Sequence, residues 1–490
     1  MSPVRTLPFL AMALLVFSCR KDRLFTDDPG AKLEFSQVEV LFDTVFAVSP
    51  PIGTVTKRFR VRNPNSEGVR VDIALEGGTP SPFRINVDGA AGTAFNDVEI
   101  LGGDSIYVFV EASLDQSNQS APFVHEDHIV FLTNGNEQKV KLVAWGQDAH
   151  YFYPDRFPAG LPAYSIIAGE NETVQWGNDK PYLIYGYAAV DSLGTLIIDP
   201  GVRVYVHGGG GLWIYRWGRL LADGTPEEPI TFQGDRLEPF YAELPGQWDR
   251  IWINDGPAGA DHVLDNVLVK NALVGIQCET WPGIPDAPTS AAKLNMSNVR
   301  IRNCSAAGVL SRNFRITAGN VLIGDCGQYA MALTGGGEYD LNHITVANYW
   351  TYAVRNDPSF IVTNTYADIT GTTQVRDIVN SRVRNCIITG ANANEFQLAF
   401  NSLATPALTF ERVLLRTDQP TNNTTFFPFQ DQVFRNQAHG FRSVPDRDFH
   451  LTAGAYARGR ADASGPFEDL DGVVRGADGQ YDLGCFEYVP

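Results

Sequence analysis

Val299–Gly308 reads VRIRNCSAAG, and Ser381–Gly390 reads SRVRNCIITG. Both carry arginine upstream and set an asparagine directly before a cysteine. A reactive thiol used twice, a pair of metal ligands and a repeating fold are the three readings of such a likeness. Aligning the chain on the residue before the cysteine puts Asn271, Asn303, Asp325, Asn348 and Asn385 in one column, followed by Ala272, Cys304, Cys326, Tyr349 and Cys386. Five residues earlier stand Asn266, Asn298, Asn320, His343 and Asn380. Between the columns lie paired inward candidates: Val267 and Val269, Val299 and Ile301, Val321 and Ile323, Ile344 and Val346, Ser381 and Val383. The intervals along the first column are 32, 22, 23 and 37 residues. The middle two have the size of one turn of a strand solenoid, and the longer ones hold inserts such as ETWPGIPDAPTS.

In a solenoid, strands of successive turns stack about 4.8 Å apart, so like side chains sit over one another. Asparagine at a corner hydrogen-bonds both the bent backbone and the amide above it, which makes a ladder. Asp325 keeps one acceptor in that ladder. Cysteine beside it is small and apolar enough for an inward site. A catalytic thiol needs a base and an electropositive setting and would not recur at this period. Zinc asks for paired Cys-x-x-Cys or neighbouring histidines, which are absent. Cys304 and Cys326 are near enough for a disulfide by distance, but stacked parallel side chains give it poor geometry. Buried free thiols are therefore the preferred reading of Cys304, Cys326 and Cys386.

Composition agrees with an all-β chain. Of 490 residues 44% are hydrophobic, with 46 Gly, 29 Phe and 18 Tyr against 4 Met. The net charge of −18 repels nucleic acid. From Leu33 to Gly146 apolar and polar residues alternate with the period of half-buried strands, as in KRFRVR and VRVDIAL. Turn signals at NPNSEG, EGGTP, LGGD and TNGN separate these runs, which points to a β-sandwich over 33–146. A connector spans 147–190. Beyond it short apolar triplets end at Gly, Asp or Asn, with no helical period for crossover helices.

Several stretches resemble known families. Met1–Arg5 is cationic, Leu7–Phe17 apolar, and Val16-Phe17-Ser18-Cys19 resembles a bacterial lipobox. That resemblance implies a signal peptide over 1–18, a lipidated Cys19 and a linker to residue 32. Arg20-Lys21-Asp22 and the acidic residues after it resemble the surface-export signal of Bacteroidota lipoproteins, which favours the cell surface over the periplasm. SPFRINVDG with GGDSIYVFVEA resembles the Ig-like modules of such lipoproteins. GRLLADGTPEEPITFQGDR with PGQWDRIWI resembles the opening turns of right-handed parallel β-helix proteins, implying that fold over 191–465. DGVVRGADGQYDLGCFEY resembles their closing motif, implying a C-terminal cap over 466–490.

No known catalytic set of β-helix lyases or hydrolases is reproduced. The catalytic candidates are Asp235, Arg236, Asp249, Arg250 and Asp255, charged residues beside tryptophans near the first turns. Trp213, Trp217, Trp248, Trp252, Trp281 and Trp350 are candidate sugar-stacking rings. Asp469, Asp471, Asp478 and Asp482 offer oxygen ligands for Ca²⁺, the one cofactor left open, though their spacing fits turn and strand-end roles better. The expected function is a membrane-anchored envelope lipoprotein, non-catalytic, whose β-helix binds glycan or another envelope component. A polysaccharide lyase or hydrolase with an unrecognised site is the first alternative, and a structural or adhesive element the second.

Overall fold

The computed structural model describes residues 24–490 except 49–52, 55, 118–120 and 285. The expected signal peptide and Cys19 lie outside the described residues. The chain is all-β and divides into two compact units, the second starting at Ala149.

The first unit holds two five-stranded sheets. One orders Glu34–Phe35, Lys57–Arg62, Ser105–Ala112, Phe83–Val87 and Ala90–Gly92. The other orders Glu39–Ala47, Asn136–Asp148, Phe123–Thr133, Val69–Leu75 and Ala94–Ile100. All neighbours are antiparallel save Glu39–Ala47 with Asn136–Asp148. Alternation in Val69–Leu75 buries Val69, Val71, Ile73 and Leu75 while Arg70 and Asp72 face water. Residues from both sheets join one core, with Phe42, Phe59, Phe83 and Phe131 its largest fully buried side chains.

The second unit is a 22-stranded parallel sheet in which strands pair with the third strand further on. Tyr164–Ala168, Tyr187–Val190, Gly211–Ile214, Ile251–Asn254 and Val274–Glu279 form one such series. Thr173–Trp176, Thr195–Ile198, Arg219–Asp223 and His262–Asp265 form the second, and Tyr182–Ile184, Arg203–Val206, Ile230–Gly234 and Val267–Lys270 the third. The sheet thus returns on itself every three strands and nearly closes. One inward column shows the result: Leu212, Ile251, Ile276, Val309, Met331, Phe360 and Phe396 are register partners in sequence, and all are buried.

The sheet starts at His150–Phe152, so the stretch 147–190 supplies strands and is not a connector. Its tyrosines and tryptophan pack as rings at this end: Trp176 stacks on Tyr182 at 4.3 Å and on Phe152 at 5.4 Å. The last strand of the sheet is Val433–Arg435. The remaining segment does not seal an end as expected. It runs along the outside of the third series, where Phe449, Leu451, Leu470, Leu483 and Phe486 cover Ala347, Ile387 and Leu414. Phe396, Phe410 and Phe427 fill the interior at the last levels.

The polar columns are backbone corners. Asn266, Asn298, Asn320, His343, Asn385 and Arg412 all have φ between 49° and 54°, the left-handed region in which asparagine is favoured among non-glycine residues. A single left-handed residue turns the chain between the second and third series without ending the pairing. Lys293–Cys304, Ala307–Cys326 and Tyr329–Asn348 therefore run as long strands through two or three series. Asn271, Asn303 and Asp325, at 66°, 55° and 53°, mark the far end of the third series.

Register corrects one member of the alignment. Asn342 pairs with Arg384 and Thr345 with Ile387, which sets Asn385 level with His343 and not with Asn348. Asn348 instead pairs with Gly390. Cys386 consequently shares a level with Ile344, whereas Cys304 and Cys326 are direct partners. The five cysteines Cys278, Cys304, Cys326, Cys386 and Cys485 are buried and free. Burial pushes the thiols of Cys278, Cys386 and Cys485 up to about 12, far from a reactive thiolate.

Candidate functional site

The outer side of the first series is where the repeat changes character. Tyr187 and Ala189 point outward, and their partners are Gly211 and Trp213. Trp213 pairs with Trp252, and Trp252 with Gln277. Alternation alone carries these residues to one face, since their neighbours Leu212, Ile251 and Ile253 fill the core. The parallel register then lays the Trp213 and Trp252 rings over each other, with centroids 5.0 Å apart and planes 12° apart.

The Pro-rich insert after Val274–Glu279 adds a third ring. The Trp281 backbone N–H donates to Asp255 Oδ1 at 2.8 Å. That contact folds the insert back, so that Trp281 stacks 6.1 Å from Trp213 and 6.0 Å from Trp252. Tyr164 and Tyr215 meet Trp213 edge-on at 5.5 and 5.4 Å. Trp213 is buried under these neighbours, while Trp252, Trp281, Tyr164 and Tyr215 stay half-buried. A cavity of about 210 Å³ opens beside them, lined by Tyr164, Trp213, Tyr215 and Trp281 with Arg156 and Asp191 at its polar side.

Every carboxylate under this aromatic cluster is held. Trp213 Nε1–H donates to Asn254 at 2.8 Å, and Trp252 Nε1–H to Glu279 at 2.8 Å. Glu279 also accepts from Gln277 at 2.7 Å and from Arg312 at 2.7 Å. Asp249 pairs with Arg250 at 2.7 Å and accepts the Tyr187 hydroxyl. Burial, reinforced by the Asp249 charge, drives the Tyr187 phenol well above its usual range, so it stays a donor. A Cβ at Gly211 would meet the Tyr187 ring at 2.6 Å, so only glycine leaves room for that hydroxyl to reach Asp249. Asp255 pairs with Arg216 at 3.2 Å.

The other sequence candidates go elsewhere. Trp248 is fully buried in the core and donates to the Lys270 carbonyl at 2.9 Å, so its ring cannot meet a sugar. Trp217 is an exposed left-handed turn residue beside Arg216, outside the stack. Trp350 packs against Tyr352 at 5.1 Å. Asp235 accepts from His207 at 2.7 Å, and that contact raises the His207 pKa. Arg236 pairs with Glu238 at 2.8 Å and lies over Tyr241. The five charged candidates thus split: Asp249, Arg250 and Asp255 support the aromatic cluster, whereas Asp235 and Arg236 belong to separate contacts.

The four C-terminal aspartates do not converge as a Ca²⁺ site. Asp469 accepts backbone N–H groups of Asp471, Val473 and Glu487, each at 2.8 Å. Asp482 accepts those of Gly459 and Tyr488. Asp471 pairs with Arg300 and His450, and Asp478 with Arg458. Among the described residues no three His, Cys, Asp or Glu side chains gather as a metal site. The asparagine corners are equally occupied: Asn303 donates to Asn271 at 3.3 Å, Asn320 to Asn298 at 3.1 Å, and Arg447 bridges Asp325, Asn303 and Glu243.

No family model and no curated protein matches the chain. Among solved structures it is similar to the catalytic unit of a thermostable GH87 alpha-1,3-glucanase from Streptomyces thermodiastaticus strain HF3-3, at 10% identity over 77% of this chain and 87% of that one, with a TM-score of 0.21. It is also similar to a protein of unknown function from Porphyromonas gingivalis W83, at 12% identity over 26% of this chain, TM-score 0.18. The YadV chaperone follows at 11% identity over 26%, TM-score 0.17. The chain spans about half the length of the last two, 50% and 55%. Scores of this size carry no argument about activity.

Tyr164, Tyr187, Tyr215, Asn254, Gln277, Glu279 and Arg312 were not legible as site residues in the sequence. A signal was present: GLWIY and RIWIN can be laid over each other with their tryptophans in register.

Proposed function

We propose that this chain binds a saccharide, without turning it over, on the aromatic face built by Trp213, Trp252, Trp281, Tyr164 and Tyr215. The observation that carries the reading is the cavity left open beside this cluster, with aromatic walls and a polar side formed by Arg156 and Asp191. Sugar rings present C–H faces that pack on aromatic faces, while their hydroxyls need a few fixed donors and acceptors. Glu279, Asp249 and Asp255 are each engaged by a cation and at least one hydrogen-bond donor, which suits fixed positioning of the rings. Asp191 is the one carboxylate lining the cavity, whereas glycoside hydrolysis uses a pair.

The winding of three parallel series is read here as a right-handed parallel β-helix, and the two-sheet unit before it as an Ig-like module. The lipobox-like Val16–Cys19 supports a lipid anchor, and Arg20-Lys21-Asp22 with the acidic residues after it supports the cell surface of a Bacteroidota-like envelope as its site. Two or more acyl chains would hold it there firmly.

A glycan array with wild-type protein and Trp281→Ala, run beside reducing-end and unsaturated-product assays, tests this reading. Binding lost in the variant, with no product from wild type, is expected. Product formation that disappears in Asp249→Ala or Asp255→Ala would make the chain a lyase or hydrolase. Labelling with palmitate in wild type but not in Cys19→Ala would establish the anchor.

A further inference from the structure

On the outer side of the second series, two successive turns of the sheet place two cations directly over each other. Lys293 and Arg315 are register partners, as are Arg315 and Glu338. Neighbouring strands lie about 4.8 Å apart, and like charges directly opposite are unfavourable. In the adjacent outward column Thr317 pairs with Asp340, and Asp340 with Arg382. Lys293, Arg315, Thr317, Glu338, Asp340 and Arg382 line a polar cavity of about 210 Å³.

The carboxylates nearby are taken by arginines and leave Lys293 and Arg382 without one. Asp340 is taken by Arg384 at 3.3 Å. Glu338 lies 3.3 Å from Arg315 Nε, but that buried N–H makes no hydrogen bond. The Asp261 carboxylate accepts the backbone N–H of Lys293 at 3.0 Å. Lys293 Nζ and the Arg382 guanidinium make no ion pair or hydrogen bond among the described residues. Arg302, Arg312 and Arg447 are each matched to a carboxylate, Glu243, Glu279 and Asp325. A stacked cation pair sharing one carboxylate, with Lys293 and Arg382 unpaired around one cavity, is a different arrangement.

We propose that this cavity binds an anionic group, carboxylate or sulfate, carried by an acidic saccharide. An anion in the cavity gives Lys293 and Arg382 the partner that Glu338 gives Arg315. Arg382 presents a planar fork that suits carboxylate or sulfate. Arg382 is exposed, so an anion carried on a polymer can reach it. Only three cations gather there, too few for the row of phosphates in a nucleic acid. The site uses none of the aromatic residues, so it stands apart from the function proposed above.

Calorimetric titration with polygalacturonate, inorganic sulfate and neutral pullulan tests it, using wild type, the double variant Lys293→Ala/Arg382→Ala, and Trp281→Ala. The expected result is binding of polygalacturonate that weakens at least ten-fold in the double variant, persists in Trp281→Ala and falls with added salt. Sulfate binding without polygalacturonate binding would overturn the saccharide as carrier and keep the anion site. Absence of binding to both acidic probes, or binding unchanged in the double variant, overturns the proposal. Loss confined to Trp281→Ala would place the acidic polymer on the aromatic face and overturn it as well, leaving the function proposed above intact. Both substituted side chains reach solvent, and matching melting curves would exclude misfolding.

Discussion

The asparagine corner and the aromatic face are both stacks of like residues, yet they hold their side chains in opposite states. At the corner, Asn266 through Arg412 repeat a left-handed backbone angle, and the polar atoms are absorbed by the level above or by the C-terminal segment. Asn320, for example, donates to Asn298 and to the Glu468 carbonyl and accepts from Arg475 at 2.7 Å. On the face, Trp213 and Trp252 repeat for two levels only, and an insert then supplies Trp281. Their polar edges are satisfied, but ring surface remains beside a cavity. Repetition that saturates itself is architecture. Where the repeat breaks and leaves surface unused, there is something to bind with.

Trp248 and Trp252 sharpen this contrast most, because four residues separate a core ring from a surface ring. Trp248→Ala is expected to cost about 3–5 kcal/mol, as for other large-to-small core changes, read from the denaturant midpoint, while ligand affinity per folded molecule holds. A loss of affinity without a loss of stability would place Trp248 in the site and break the distinction.

Next in size is Asn320→Val. A β-branched residue at φ 52° and a buried Arg475 deprived of one of its acceptors together should destabilise by about 3 kcal/mol. The same measurement on Asn320→Gly, which keeps the backbone angle, separates strain from lost hydrogen bonds.

His262 gives a pH-dependent version. It is fully buried, its Nδ1 accepts from the Leu220 N–H at 3.3 Å, and its Nε2 has no partner. Burial pushes its pKa down to about 4 from the usual 6.5. Between those values the unfolded chain takes up a proton that the folded chain refuses. Stability is therefore full above pH 6.5 and falls toward pH 4 by about 1.4 kcal/mol per unit. His262→Gln should flatten that limb in denaturation curves recorded at pH 7 and pH 5. An unchanged acid slope would assign it to other groups.

The smallest stability effect belongs to the face itself. Trp281→Ala should lower saccharide affinity about ten-fold, roughly 1.4 kcal/mol, with little change in melting temperature, since the insert is anchored through its backbone N–H on Asp255.

The corners could be read in the sequence because asparagine is one of few residues that tolerate a left-handed angle, so backbone geometry prints itself as residue type. Cys386 shows the limit. The likeness of SRVRNC to VRIRNC aligned Asn385 with Asn348, but strand pairing sets it one corner earlier, level with His343. Both corners accept asparagine, and the insert between Asn348 and Ile378 hides the slip. Trp248 was misread because the charged Asp249 and Arg250 beside it look like a surface, while strand geometry turns it inward. The return of Trp281 depends on one backbone hydrogen bond from a proline-rich insert, which no periodicity announces.

Tryptophan fluorescence during titration with a panel of neutral oligosaccharides tests the central claim most directly. The account predicts saturable change of wild-type emission with at least one neutral saccharide, about ten-fold weaker in affinity in Trp281→Ala and unchanged in Trp217→Phe and Trp350→Phe. Wild-type affinity kept unchanged in Trp281→Ala, or lost with Trp350→Phe instead, would contradict it.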